Sequence, residues 1–233
     1  MEHNNKFPVA FQEQVLNLAG NLLPLSAARF WLINPKINLK GCVFYNIDNQ
    51  TEEIYQNTYS TMDPMHPNRF EGTEIAVVCS DTIMSEREWR QSLFYREFMG
   101  PRHYDHNADM FFRKAGKIIA VLSLLRDDQI GPFRESELNL LRQLQPFTEY
   151  ALNSIYVPQR FSEREYIAGK YALTERELDV VEIIMSGVET KALARELNLS
   201  LATAKTHLQH IFRKVGVHST KELIANLFRE LSH

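Results

Sequence analysis

The chain of 233 residues predicts an α+β domain built on an antiparallel sheet, followed by a small all-α domain of four short helices. Three observations predict it. Short β-branched and aromatic runs bounded by Asn, Pro and Gly recur as far as Arg126, and beyond that point the periodicity is helical. A polar segment, VPQRFSEREYIAGK (Val157 to Lys170), carries Pro158 and Gly169 without sustained apolar periodicity. It reads as a linker, with room for a short helix, between domains at 1–156 and 171–233. The length also exceeds one small domain, at ~150 residues per domain.

In chain order, Phe7 to Asn21 is amphipathic, with Phe11, Val15 and Leu18 on one face. AARFWLI (Ala27 to Ile33) and GCVFYNI (Gly41 to Ile47) read as strands. Thr51 to Met62 reads as a helix stopped at Asp63–Pro64, because the residue before a proline is pushed out of helical geometry. IAVVC (Ile75 to Cys79) is a third strand, and Ser85 with Glu88 forms a capping box opening a helix to about Met99. Met110 to Arg113 and Lys117 to Arg126 flank Lys114–Ala115–Gly116 as a hairpin. Gly131–Pro132 then turns the chain into a long helix with Leu138, Leu141 and Leu144 at helical spacing, which Pro146 is expected to kink or restart. The expected domain is an antiparallel sheet covered by helices on one face.

Composition narrows the function. At 44% hydrophobic and 24% charged residues the chain is globular. Its longest apolar run, Ile118 to Leu125 interrupted by Ser123, is far short of the ~20 residues that span a bilayer, and no membrane partner is expected. MEHNNKFPVA has no apolar signal region, and two cysteines, Cys42 and Cys79, make no disulfide framework, so a reducing cytoplasmic setting is expected. No Gly-rich phosphate loop, nucleophile elbow or paired-carboxylate motif is present, so neither catalysis nor a cofactor is expected. The net charge of −3 hides a local contrast. Leu197 to Lys221 holds no acidic residue but has Lys205, Arg213, Lys214 and Lys221, whereas Glu175 to Glu189 holds five acids and one arginine. Local potential is what a phosphate backbone feels.

The C-terminal elements explain that contrast. Thr174 and Glu177 form a capping box opening a helix with Leu178, Val181 and Met185 inward and Gly187 at its end. A short helix follows at about Lys191 to Leu197, then an Asn198–Leu199–Ser200 turn whose Ser200 caps the next helix. There Leu201, Ala204, Leu208, Ile211 and Val215, spaced 3, 4, 3 and 4, form one inward stripe. Thr206, Gln209 and Arg213 fall opposite, with Thr203 and His210 beside them and Lys205 on a flank. Solvated faces normally mix charge signs, and this one has no carboxylate. A second helix presenting donors after a tight turn is the recognition geometry of a helix-turn-helix, with double-stranded DNA as partner.

Residues Leu173 to Leu227 resemble the LuxR/FixJ-type four-helix helix-turn-helix of bacterial transcription regulators. The matching residues are Leu173, Thr174, Arg176, Glu177, Val180, Gly187, Lys191, Ala194, Leu197, Ser200, Thr203, Lys205, His207, Ile211, Lys214 and Val217. The resemblance implies that Lys205, Thr206 and Gln209 face base edges and phosphates, and that Thr190, Lys191, Thr203, Arg213 and Lys214 hold the backbone. It departs at Ala204, usually valine, and at Ser219–Thr220–Lys221, where an arginine is common. In that family the last helix pairs two domains, which assigns dimerisation to Leu223, Leu227 and Leu231, with plain intradomain core as the alternative.

The N-terminal element order resembles GAF- and PAS-type sensor domains, most closely over Lys117 to Leu152. Receiver-type control is disfavoured, since no acidic pair follows a first strand. YQNTYSTMDP, with Tyr55, Tyr59, Asp63 and Pro64, resembles part of the ligand motif of acyl-homoserine-lactone receptors, where the Asp accepts from the ligand amide. The tryptophan expected before the second tyrosine is missing. Tyr45, Tyr55, Tyr59, Asp63 and Trp89 are the candidate pocket liners, with ordinary aromatic core as the alternative. A redox or enzymatic GAF-type sensor using Cys42 and Cys79 is a further alternative, though both lie in apolar strands. His103, Asp105, His106 and Asp109 in RHYDHNAD read as a polar loop, and no metal is expected. The whole reads as a DNA-binding transcription regulator, a homodimer, whose sensor half answers a small-molecule effector or a protein.

Overall fold

The computed structural model describes residues 10–33, 42–185, 190–197 and 199–231. Two compact units divide the chain, one formed by Gln12–Asn34 with Cys42–Asn153 and one containing Ser154–His233.

The first unit holds α1 (Ala10–Leu22), β1 (Ala27–Leu32), β2 (Cys42–Tyr45), α2 (Asn49–Ile54), β3 (Val77–Cys79), α3 (Ser80–Ile83), α4 (Glu86–Gln91), β4 (His106–Lys114), β5 (Lys117–Arg126) and α5 (Glu135–Ala151). The strands form one antiparallel sheet in the order β2-β1-β5-β4-β3. The β4–β5 hairpin pairs Lys114 with Lys117 across Ala115 (φ 49°) and Gly116 (φ 76°), the two positive φ values that a two-residue turn of matching twist requires.

Helices cover both faces of this sheet rather than one. On one face Ala27 and Leu125 pack with Tyr55, Trp89, Phe94, Phe98 and Met99, and Trp31 and Val121 pack with Met65, Phe70 and Phe111. The opposite face, including Phe30, Phe112, Leu122 and Leu124, is equally buried, with α1 and α5 the remaining helices of the unit. The reason lies in β5, whose neighbours of both parities are apolar, as expected of a strand with no wet side. Its last residue, Arg126, is buried and clamps Glu137 of α5 at 2.9 Å.

Several local expectations shift. The buried stripe of α1 is Gln12, Leu16 and Ala19, continuing to Leu23, while Leu18 is exposed; Phe7 lies outside the described residues. The helix before Asp63 passes through a π turn at Tyr55–Tyr59 and a 3-10 turn at Ser60–Met62. The Ser85–Glu88 box is present, but α4 ends at Gln91. Ser92 Oγ then accepts the Tyr95 N–H at 3.1 Å and starts the next turn, a side-chain bond that competes with continuing the helix. α5 runs through Pro146 without a break. Its side chains close the edge of β4 beyond the short β3: Gln145 donates to the Phe111 carbonyl at 2.8 Å, and Glu149 accepts the Arg113 N–H at 2.5 Å. His106 to Asp109, read as loop, open β4. Their polarity hid a strand whose side chains meet other polar groups inside the unit.

The second unit holds α6 (Val157–Tyr171), α7 (Glu175–Met185), α8 (Thr190–Glu196), α9 (Leu201–Val215) and α10 (Thr220–Leu231). One core joins Ile167 of α6 to Leu178, Val181 and Met185 of α7, Leu193 of α8, Leu208 and Ile211 of α9, and Leu223 and Leu227 of α10. The segment read as a linker is therefore a 15-residue helix packed on the C-terminal bundle. Its charges made it look solvated, yet they are spent internally. Glu182 of α7 is buried against Arg164 at 3.1 Å and Arg160 at 3.3 Å, and Arg164 also meets Glu175 at 2.7 Å and Asp179 at 3.2 Å. Among the described residues no helix is long and apolar enough to cross a membrane.

Candidate functional site

The C-terminal bundle presents α9. Ser200 caps it, accepting the Thr203 N–H at 3.0 Å, and Gly216 ends it in the left-handed region at φ 77°. Ala204, Leu208, Ile211 and Val215 are buried, which turns Lys205, Thr206, Gln209, His210 and Arg213 outward and exposed. Arg176 Nη2 donates to the Leu197 carbonyl at 2.6 Å, fixing the end of α8 to α7 and with it the turn that aims α9. Lys191 is exposed at the start of α8 and Thr190 is half-buried beside it. Thr203 is exposed, with its hydroxyl 2.8 Å from Ser200 Oγ, and the Thr206 hydroxyl donates to the Ala202 carbonyl at 3.0 Å. Gly187 lies outside the described residues.

Three residue assignments change. Lys214 lies at the surface but spends its ammonium within the domain: its Nζ donates to buried Glu177 at 2.6 Å and to the Ala172 carbonyl at 2.8 Å. Burial works against the Glu177 charge, but the bonds from Lys214 and Thr174 hold its carboxyl below the usual range. Leu201, expected inward, is exposed in the first turn of α9, ahead of the packed stripe. Leu223 and Leu227 are fully buried in their own domain and Leu231 packs against the same core, so these leucines hold α10 in place instead of offering a pairing face.

In the first unit, a cavity of about 30 Å³ opens among Arg29, Tyr55, Asp63, Phe94, Phe98, Asn107 and Ser123. That is room for about two waters, so a larger guest must displace side chains. The pairings Arg29–Ser123 and Asp109–Ser123 put these three side chains in one row on the same sheet face. The Arg29 guanidinium stacks 4.2 Å from the Tyr55 ring centre and 4.8 Å from that of Trp31, and pairs with Glu52 at 2.8 Å. The Tyr55 hydroxyl donates to Asp63 Oδ2 at 2.7 Å, while Asp63 Oδ1 accepts the Met65 N–H at 2.8 Å. Burial raises the carboxyl of Asp63, and burial together with the Asp63 charge pushes Asp109 up to about 7.

Of the candidate liners, Tyr55 and Asp63 stand in the cavity wall. Trp89 is buried behind it, donating from Nε1 to the Asp105 carbonyl at 2.8 Å. Tyr59 is half-buried against Phe98, and Tyr45 is exposed on the edge strand β2. Both are displaced because the π turn and the edge strand aim them away from the wall. Sequence reasoning missed Arg29, Asn107, Ser123 and Asp109; a lone arginine inside the apolar run of β1 was the available signal. Among the described residues no group of three His, Cys, Asp or Glu could hold a metal ion. Cys79 is buried and Cys42 half-buried, and no disulfide joins them.

A bundle that holds a donor-bearing helix outward after a short turn has the architecture of a helix-turn-helix DNA-binding domain, and it follows an α+β unit that encloses a polar cavity. Residues 171–227 match the family described as bacterial regulatory proteins, luxR family. Residues 171–227 are a LuxR-type helix-turn-helix domain, and the chain is similar to transcription regulators beyond it. It is 28% identical over 210 residues to the monoamine regulon transcriptional regulator of Klebsiella aerogenes, covering 90% of this chain and 87% of that protein. The nitrate/nitrite response regulator protein NarP of Escherichia coli is 39% identical over 67 residues, 27% of this chain and 31% of NarP. A crystal structure of Escherichia coli SdiA aligns over 93% of this chain and 88% of that chain, with a TM-score of 0.44 and 16% identity.

Proposed function

We propose that this regulator binds a roughly palindromic operator as a homodimer in the cytoplasm, under the control of a small molecule held by the 1–156 sensor domain. The observation that carries the DNA half is the exposed face of α9, where Lys205, Gln209, His210 and Arg213 stand without a carboxylate. Lys205, Thr206 and Gln209 take base edges and adjoining phosphates; Thr190, Lys191, Thr203 and Arg213 hold the backbone. Two domains so arranged read half-sites about one DNA turn apart. Exposed Phe147 and Tyr150 on α5 offer an apolar surface for a second copy. The polar cavity beside Tyr55 and Asp63 supports the small-molecule half.

Selection of operators from random duplexes, followed by titration at several salt concentrations, tests the DNA half. Lys205→Ala and Gln209→Ala are each expected to weaken the selected site by ~1–3 kcal/mol and to relax preference at one position. Selected and random duplexes binding equally would sink the reading. Native mass spectrometry of the full-length protein tests the sensor half. A dimer carrying extra mass that is lost on denaturation supports it.

An acyl-homoserine-lactone ligand is the second reading, favoured by the meeting of Tyr55 and Asp63 in the cavity wall. Asp63 already accepts from Tyr55 and Met65, so a ligand amide has to replace or share one of those donors.

A further inference from the structure

Two buried acceptors, one in the wall of the sensor cavity and one beside it, lack donors. Asn107, 5% exposed and part of the cavity wall, has no donor for its Oδ1 among the described residues. Asp109, two residues along β4 on the same face, is 4% exposed, and its Oδ1 also finds no donor. Buried acceptors without partners are costly, and both unfilled positions here ask for an N–H or O–H.

Charge narrows the choice. The buried cation is Arg29, and Glu52 pairs with it directly at 2.8 Å. Asp63 and Asp109 remain, each near Arg29 and near one another. Two further carboxylates beside an already paired guanidinium leave the interior short of positive charge when both are ionised. Around the polar floor stand apolar and aromatic side chains, Tyr55, Phe94, Phe98 and Met99.

We propose that the cavity receives a small organic ammonium, its N–H donors directed at Asn107 Oδ1 and the Asp109 carboxylate and its apolar body lying against Phe94 and Phe98. The proposal rests on the reading of the first unit as a small-molecule sensor and names the ligand class. A neutral amide supplies donors but no charge. Asp109 faces Arg29 from β1, Ser123 from β5 and Asp63 from the segment after the π turn; His66 acts on Asp63 and Glu52 pairs with Arg29. With Asp109 protonated until about pH 7, the cation binds best once that proton has left.

The test is calorimetric titration of the full-length protein with 2-phenylethylammonium and with 2-phenylethanol, which differ in the head group. The ammonium is expected to bind at least about tenfold tighter than the alcohol at pH 8, and about tenfold tighter at pH 8 than at pH 6. Asp109→Asn is expected to abolish both differences. Equal binding of the two, or a preference that survives Asp109→Asn, overturns the proposal. N-hexanoyl-homoserine lactone serves as the neutral control. Its binding without the ammonium overturns the ligand class and leaves the sensor reading standing; an ammonium, an alcohol and a lactone that all fail to bind overturn the proposal, and a purified dimer without extra mass then removes support from the sensor reading separately.

Discussion

Inside the first unit the Tyr55 hydroxyl donates to Asp63 Oδ2 across 2.7 Å, joining a π turn to the segment that follows it. The two side chains are buried, so neither has water as a substitute partner. Tyr55→Phe removes the donor and leaves Asp63 with the Met65 N–H. A loss of about 1–3 kcal/mol is expected, read as a lower urea midpoint with an unchanged slope. An unchanged midpoint would mean that Asp63 finds another donor.

Asp109 makes the stability of the same unit fall as pH rises. Its folded carboxyl titrates near 7, above the ordinary value of 3.8. Below about pH 4 both states hold the proton, and stability is highest. Between there and pH 7 the unfolded chain has released a proton that the folded state keeps, so each step upward favours unfolding. Asp109→Asn is expected to flatten this dependence and raise the melting temperature at pH 8. Parallel profiles for the two proteins would remove Asp109 as the group responsible.

Lys214 and Arg213, adjacent in sequence, are expected to separate cleanly. Lys214→Met leaves buried Glu177 without its cation and should cost about 1–2 kcal/mol, discounted because the lysine is a third exposed. The salt dependence of DNA binding should not change. Arg213→Ala should leave stability within about 0.5 kcal/mol and lower the salt slope by about 1. Titrations at several salt concentrations, paired with urea melts, distinguish them.

Glu182 fastens α6. Replacing it by Ala leaves Arg164 with Glu175 and Asp179 but removes the carboxylate it shares with Arg160. A loss of about 2–4 kcal/mol is expected, with faster proteolysis within Val157–Tyr171. Resistance equal to the unaltered protein would show that apolar contacts around Ile167 suffice.

Much of the molecule was legible because local rules and tertiary packing agree. The capping pairs Ser85–Glu88 and Thr174–Glu177, the Ala115–Gly116 turn and the Ala204–Leu208–Ile211–Val215 stripe all stand where spacing puts them. Each depends on residues within about one helical turn or one hairpin. The bases of the DNA-facing helix were equally legible, since a face without carboxylates is visible in a helical projection.

What sequence alone determined, then, is the order of elements, the helix-turn-helix and the direction in which α9 presents Lys205 and Gln209. Tertiary structure decided which polar groups are spent inside. Lys214 and Arg213 are both cations on one helix, and only the approach of Glu177 from α7 spends the first within the domain. Val157 to Lys170 looked like a solvated linker until Glu182 met Arg160 and Arg164. RHYDHNAD looked like a loop until cross-strand pairing laid Asp109 beside Ser123, and Ser123 beside Arg29. Burial and charge pairing belong to contacts between residues far apart in the chain, and those contacts come into being only when the chain folds.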